Sequence, residues 1–214
     1  MKTTFAIALL ISGIVAESTL AGENNTVNLL QSSTDGIGNT LSIDQSGASN
    51  SLLAGPPDGS SQALQIGGGN QATLTIEGDG GQMLLQQGTV DQPGFGNTAL
   101  AMISGLGGLG TIIQDGSGNS AEMQLTSNDA LQPATGSIGQ FGNGNNASLN
   151  VFGANVNGEI TQQGNNNTET LTVNGSNTSV SYTQVGNGMT PTAASPGVSV
   201  FTTAGSVSIT QTQF

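Results

Sequence analysis

Ile138-Gly-Gln140-Phe-Gly142, Leu149-Asn-Val151-Phe-Gly153, Ile160-Thr-Gln162-Gln-Gly164, Leu171-Thr-Val173-Asn-Gly175 and Tyr182-Thr-Gln184-Val-Gly186 follow one another along the chain and share one pattern. Gly142, Gly153, Gly164, Gly175 and Gly186 are evenly spaced, and Gln centres alternate with Val centres. The repeat therefore covers two of these intervals, as from Gly142 to Gly164, and consists of two unlike segments. Inside each segment, apolar or Gln positions alternate with polar ones. An alternation of two specifies a β-strand with one face turned inward.

The same frame extends backward when the turns vary in length. Its Gln-type centres are Gln31, Gln65, Gln86, Gln114, Gln140, Gln162, Gln184 and Gln211. The partner centres are Gln45, Ile76, Ile103, Leu125, Val151, Val173 and Val200, which makes seven rungs and a final half rung. Six residues before the partner centre stands Asn39, Asn70, Asn97, Asn119, Asn145 or Asn167; the seventh rung has Ala194 there. Two residues after that Asn comes Leu41, Ala72, Ala99, Ala121, Ala147 or Glu169. Proline supplies a separate check, because it lacks the N–H that a strand ladder needs. All six prolines (56, 57, 93, 133, 191 and 196) fall in inserted turns, where the spacing exceeds that of the regular repeat.

Two strands and two turns per repeat predict an all-β chain: a parallel β-solenoid of stacked two-strand β-arch rungs, about 22 residues per rung and roughly seven and a half rungs. Segments such as Gly164-Asn-Asn-Asn167 provide residues that tolerate left-handed turn conformations. Stacking at about 4.8 Å places like on like. A column of Gln amides can then bond from rung to rung, because each amide carries both donors and an acceptor. The Asn column is expected to do the same at the turn. Ile112, Ile138, Ile160, Tyr182 and Ile209 are expected beside the Gln column, with Leu74, Met123, Leu149, Leu171 and Val198 in the facing strand. These two amide columns are the candidate self-assembly ladder.

Composition narrows the function. Charged residues are 7% and aromatics 3% of the 214 residues, with no Trp, His or Cys. The net charge is -12 and Lys2 is the one basic side chain. Phosphate binding relies on Lys and Arg, so nucleic acid is not an expected partner. Met1-Lys2 followed by the mostly apolar Phe5–Ala16 has the layout of a secretory signal peptide, placed at 1–21, with cleavage after Ala16 or Ala21. The run is too short to cross a bilayer, and no later stretch is long and apolar enough to cross as a helix. Residues 22–214 form the repeat domain, expected outside the cell.

Gln114-Asp-Gly116-Ser-Gly118-Asn119-Ser-Ala121 and Gln140-Phe-Gly142-Asn-Gly144-Asn145-Asn-Ala147 share one motif with Gln65-Ile-Gly-Gly-Gly-Asn70-Gln-Ala72. The motif resembles the curlin repeat, the unit of bacterial curli amyloid subunits. Gln162-Gln-Gly164-Asn-Asn-Asn167 matches it in part. The curlin motif has a second Gln in the following strand, which here occurs only as Gln45. The resemblance implies a secreted subunit that polymerises with other copies of itself on the bacterial surface, within a biofilm matrix. It implies a nucleator subunit and an outer-membrane secretion channel as further partners.

Enzymatic readings lack their residues. Without His or Cys, and with Lys2 in the leader, nucleophile–base pairs are missing. No cofactor or metal is expected: calcium-binding repeats need an Asp in each turn, and Asn165-Asn166-Asn167 supplies none. The alternatives to a fibre subunit are a monomeric binding solenoid, either an adhesin or an ice-binder using outward Thr73, Thr75, Thr170 and Thr172, and a minor fibre nucleator.

Overall fold

A computed structural model describes residues 4–10, 15–19, 22–34, 36–128, 133–190, 198–199 and 204–213. Ala194, Val200, Pro191 and Pro196 lie outside the described residues.

The chain winds alternately through two faces. The first turns are β1 (Thr4–Leu10), β2 (Val15–Thr19), β3 (Thr26–Ser33), β4 (Thr40–Asp44), β5 (Leu52–Ala54), β6 (Ala63–Gly68) and β7 (Gln71–Glu77). The middle holds β8 (Gln82–Gln87), β9 (Gly94–Phe95), β10 (Thr98–Ser104), β11 (Leu109–Asp115), β12 (Ser120–Glu122) and β13 (Gln124–Leu125). It continues with β14 (Thr135–Phe141), β15 (Asn146–Ser148), β16 (Asn150–Val151), β17 (Asn157–Gln163) and β18 (Thr168–Thr172). The last strands are β19 (Thr178–Val185), β20 (Val198–Ser199) and β21 (Gly205–Thr212).

Each strand pairs in parallel with the equivalent strand one coil away. One face runs from β3 through β5 and β6, β8, β11, β14, β17 and β19 to β21; the other runs from β4 through β7, β10, β12, β15 and β18 to β20. The fold is the expected parallel β-solenoid, with seven rungs and a half between Thr26 and Thr212. The segment read as a leader adds one further rung: β1 pairs with β3 and β2 with β4, both in parallel.

The interior is thin and layered. The residues meeting in register on the first face include Ile112, Ile138, Ile160, Tyr182 and Ile209. Facing them are Leu74, Met123, Leu149 and Leu171, all buried. Parallel pairing makes this core continuous along the axis, so each rung buries the apolar edge of its neighbour. Insertions leave the stack intact because they loop out. Residues 55–62 interrupt one strand position, so that β3 pairs with β5 at Val27–Leu53 and with β6 at Leu29–Ala63. Pro56, Pro57, Pro93 and Pro133 all lie outside strands.

The second face departs from a continuous strand in rungs four and five. Gln124, Leu125 and Thr126 have positive φ (95°, 81° and 56°), as do Asn150, Val151 and Phe152 (102°, 71° and 93°). The strand bends there, and the two bends stack: Gln124 pairs with Asn150 and Leu125 with Val151. Leu125 and Val151 remain fully buried, so the bend redirects backbone without expelling the centre from the core.

Candidate functional site

A chain of buried amides runs the length of the solenoid. Gln31 Nε2 donates to Gln65 Oε1, and Gln65 Nε2 to Gln87 Oε1 at 2.8 Å. The series continues through Gln87 to Gln114 (2.8 Å), Gln114 to Gln140 (3.0 Å), Gln140 to Gln162 (3.0 Å), Gln162 to Gln184 (2.9 Å) and Gln184 to Gln211 (3.4 Å). Every donation points toward the C-terminal end, so the ladder has a polarity. Six of these Nε2 groups also donate to the opposite face. Gln65, Gln87, Gln114, Gln140, Gln162 and Gln184 donate to the carbonyls of Thr40, Gln71, Thr98, Ser120, Asn146 and Thr168 at 2.8–3.2 Å. The column thus joins rung to rung and face to face. Satisfied in this way, the amides avoid the penalty of polar burial.

One member of the expected column is displaced. Gln87, not Gln86, occupies the third rung; Gln86 is half-buried on the outward side and donates to Asp115 Oδ1 at 3.0 Å. Pairing of Met83 with Gly110 and Leu85 with Ile112 sets the register. A slip of one residue would turn Met83 and Leu85 outward, so apolar burial selects Gln87. The residues Gly88–Pro93 then form an insertion, and Gly94 takes the turn position that pairs with Gly67.

Asn39, Asn70, Asn97, Asn119, Asn145 and Asn167 are all buried and stack, but not amide to amide as expected. Each Oδ1 accepts the backbone N–H of the next Asn at 3.0 Å. The Nδ2 groups of Asn70, Asn97, Asn119, Asn145 and Asn167 donate to the carbonyls of Gly94, Gly116, Gly142, Gly164 and Gly186 one rung on, at 2.8–2.9 Å. The short Asn side chain reaches the turn backbone and locks it, where the longer Gln spans the core. Met189, rather than Ala194, closes this column, its N–H bound to Asn167 Oδ1 at 3.0 Å. The last insertion therefore follows the Asn position instead of preceding it.

A second, exposed Asn ladder was missed in the sequence reading. Asn143 Nδ2 donates to Asn165 Oδ1 (3.2 Å) and Asn165 Nδ2 to Asn187 Oδ1 (3.0 Å), while Asn143 Oδ1 accepts Ser117 N–H (2.9 Å). Its signal was the residue after each turn glycine: Ser117, Asn143, Asn165 and Asn187.

Among the described residues, three buried side-chain polar atoms have no hydrogen-bond partner: Gln31 Oε1, and both amide atoms of Gln45. Both residues belong to the first repeat rung, Gln31 in β3 and Gln45 just after β4. The column that begins with Gln45 continues as Ile76, Ile103, Leu125, Val151 and Val173, which give an amide nothing to bond.

Glu169 replaces the usual Ala in the small-residue column and is buried. It sits by Tyr182, whose phenol is pushed up to about 12 by burial first and by the Glu169 charge second. Tyr182 Oη donates to Gln211 Oε1 at 2.9 Å. Asp58, on an inserted turn, is held below its usual range by the hydroxyl and backbone N–H of Ser60. Among the described residues no group of three or more His, Cys, Asp or Glu could hold a metal ion, and no helix is long and apolar enough to cross a membrane.

The outward rows are mixed. Ser42, Thr73, Leu100 and Glu122 lie side by side in register, as do Ser148 and Thr170. Leu100, Met102, Phe95 and Phe141 are exposed. Compared with protein-family models, curated proteins and solved structures, the chain finds no match in any of the three.

Proposed function

We propose that this chain is a secreted, self-assembling structural subunit of an extracellular curli-like amyloid fibre that serves a bacterial surface or biofilm matrix. The observation that carries the reading is the axial amide ladder from Gln31 to Gln211 within an in-register parallel stack. This is the bonding pattern of cross-β fibres, in which identical side chains stack along the axis. The ladder is directional, so a second copy added end to end continues it with every donor facing an acceptor. The terminal strand β21, Gly-Ser-Val-Ser-Ile-Thr-Gln-Thr, bears no charge or proline to discourage pairing. The curlin-like motifs of three rungs support the same reading and, with it, a secretion channel and a nucleator as partners.

An ice-binding monomer would need a uniform outward face. The row of Ser42, Thr73, Leu100 and Glu122 does not provide a threonine array.

Incubating the purified protein tests the proposal. Thioflavin-positive fibres with a meridional reflection at about 4.7–4.8 Å are expected. A chain that stays monomeric at high concentration would remove the fibre reading. Adding a trace to a cognate major subunit separates bulk subunit from nucleator, since only a nucleator abolishes the lag.

A further inference from the structure

We propose that Asn174-Gly175 is a site of spontaneous deamidation in the folded protein, the Asn-Gly pair that the stack leaves free to react while it protects the others. The inference does not depend on the fibre reading.

An asparagine followed by glycine is chemically labile, because glycine has no side chain to shield its own backbone nitrogen. The glycine nitrogen gives up its proton to water or hydroxide and attacks the asparagine Cγ. A C–N bond forms, the Cγ–Nδ2 bond breaks, and the amide nitrogen takes up a proton and leaves as ammonia. Water then opens the cyclic imide at either of its two carbonyls, giving aspartate or isoaspartate. One water is consumed and one ammonia released, with no change of oxidation state. The fold controls the first step. The glycine N–H must leave its hydrogen bond before its nitrogen can reach the side chain.

The chain has four Asn-Gly pairs, at Asn143, Asn157, Asn174 and Asn187. All four asparagines are exposed, so access to water does not separate them. The bond held by the following glycine does. Gly144 N–H donates to the Ser117 carbonyl of the previous rung at 2.9 Å, and Gly188 N–H to the Asn165 carbonyl at 2.8 Å. Both asparagines also have Oδ1 engaged, Asn143 by the Ser117 N–H (2.9 Å) and Asn187 by the Asn165 N–H (2.7 Å). Gly158 is buried inside β17, which pairs with β14 on one side and β19 on the other. To free any of these three nitrogens, neighbouring rungs have to part.

Gly175 differs. Its N–H donates to the Val173 carbonyl at 3.1 Å, two residues back in the same turn. The residue between them, Asn174, has a φ of 75°. This is the γ-turn with a left-handed central residue, a rare and strained form. Opening it breaks one bond within the turn while the rung stays held: Asn174 N–H bonds the Val151 carbonyl at 2.7 Å, and Val173 is fully buried. A local opening of this kind costs far less than separating packed strands.

Asn174 belongs to neither amide column. Its conversion places a carboxylate on the outer turn of the sixth rung, in a chain already at a net charge of -12. The buried Gln and Asn ladders keep their chemistry. The modification therefore accumulates with time in folded protein and does not wait for unfolding.

Full-length protein incubated in mildly alkaline heavy-oxygen water, folded or in denaturant, tests the proposal. Pepsin digestion follows, since a chain with one basic residue gives trypsin little to cut. Peptide masses report each site, and uptake of the heavy oxygen marks conversion during the incubation. In denaturant all four sites are expected to react at comparable rates. In the folded protein Asn174 is expected to stay within a few-fold of that rate, whereas Asn143, Asn157 and Asn187 slow by at least roughly tenfold. Gly175→Ala is the second arm. Gly175 lacks a positive φ, so alanine suits the backbone there, and its methyl group hinders the attack. Conversion at Asn174 should fall several-fold in that variant, with the other three sites unchanged. Equal slowing of all four sites on folding would overturn the proposal, as would undiminished conversion at Asn174 in Gly175→Ala.

Discussion

Replacing Gly164 by alanine should break the stack locally, whereas the same change at Gly188 should be tolerated. Gly164 has φ of +119°, and a Cβ built there would lie 1.9 Å from the carbonyl oxygen of Gly186 in the next rung. Ordinary contact begins at 3.4 Å, so little more than half of the required separation is present and the rungs would have to part at this turn. The blocking atom is backbone and cannot swing aside. That carbonyl also accepts Asn167 Nδ2 at 2.9 Å, and the Gly186 N–H bonds to Gln163 at 2.9 Å, so separation breaks both bonds. Two hydrogen bonds at about 1 kcal/mol each, together with about 1–3 kcal/mol for over-packing, give a loss of roughly 3–5 kcal/mol. At Gly188 (φ +68°) a Cβ meets nothing within 4 Å, and the cost is the left-handed backbone alone, about 1–2 kcal/mol. The chain already places Asn166 (φ 57°) at the corresponding turn position one rung earlier. Denaturant titrations of parent and both variants, followed by the far-ultraviolet β signal, measure the difference. Equal midpoints for the two variants would refute the claim that turn carbonyls are packed rung against rung.

Gln140→Leu removes the bonds to Gln114, Gln162 and the Ser120 carbonyl and leaves Gln162 Oε1 without a donor; a loss of about 2 kcal/mol and slower fibre growth are expected, and growth at the parental rate would show that the amide column is dispensable. Tyr182 holds its proton more tightly in the folded state (about 12, against an ordinary 10.0), so its contribution is full below pH 10 and is lost as pH rises toward 12. Alkaline titration should show that loss in the parent and not in Tyr182→Phe. With a net charge of -12 and Lys2 as the one basic side chain, chains repel one another. The assembly lag should shorten as pH falls from 8 to about 4, where carboxylates begin to take up protons; a constant lag would contradict the repulsion.

The stack itself was legible because its causes are local and repeated. Ile160-Thr-Gln162-Gln-Gly164 states a strand, an inward amide and a turn in one short run, and its recurrence in coil after coil states the stacking. Proline positions marked the insertions for the same reason: a missing N–H is a property of the residue. The Asn positions were legible too, but their bonding was not. Whether a side-chain amide meets another amide or a carbonyl depends on where the neighbouring turn places its backbone.

Residue types and their spacing thus determined the strand faces, the turn sites and the two amide columns. Tertiary structure decided the register beside each insertion, as with Gln87 over Gln86, because only packing of Met83 and Leu85 against the next coil distinguishes two adjacent glutamines. It also decided the polarity of the ladder, the bends at Leu125 and Val151, and the unsatisfied amides of the first rung. Those depend on which groups lie one coil away, at sequence separations that change with every insertion.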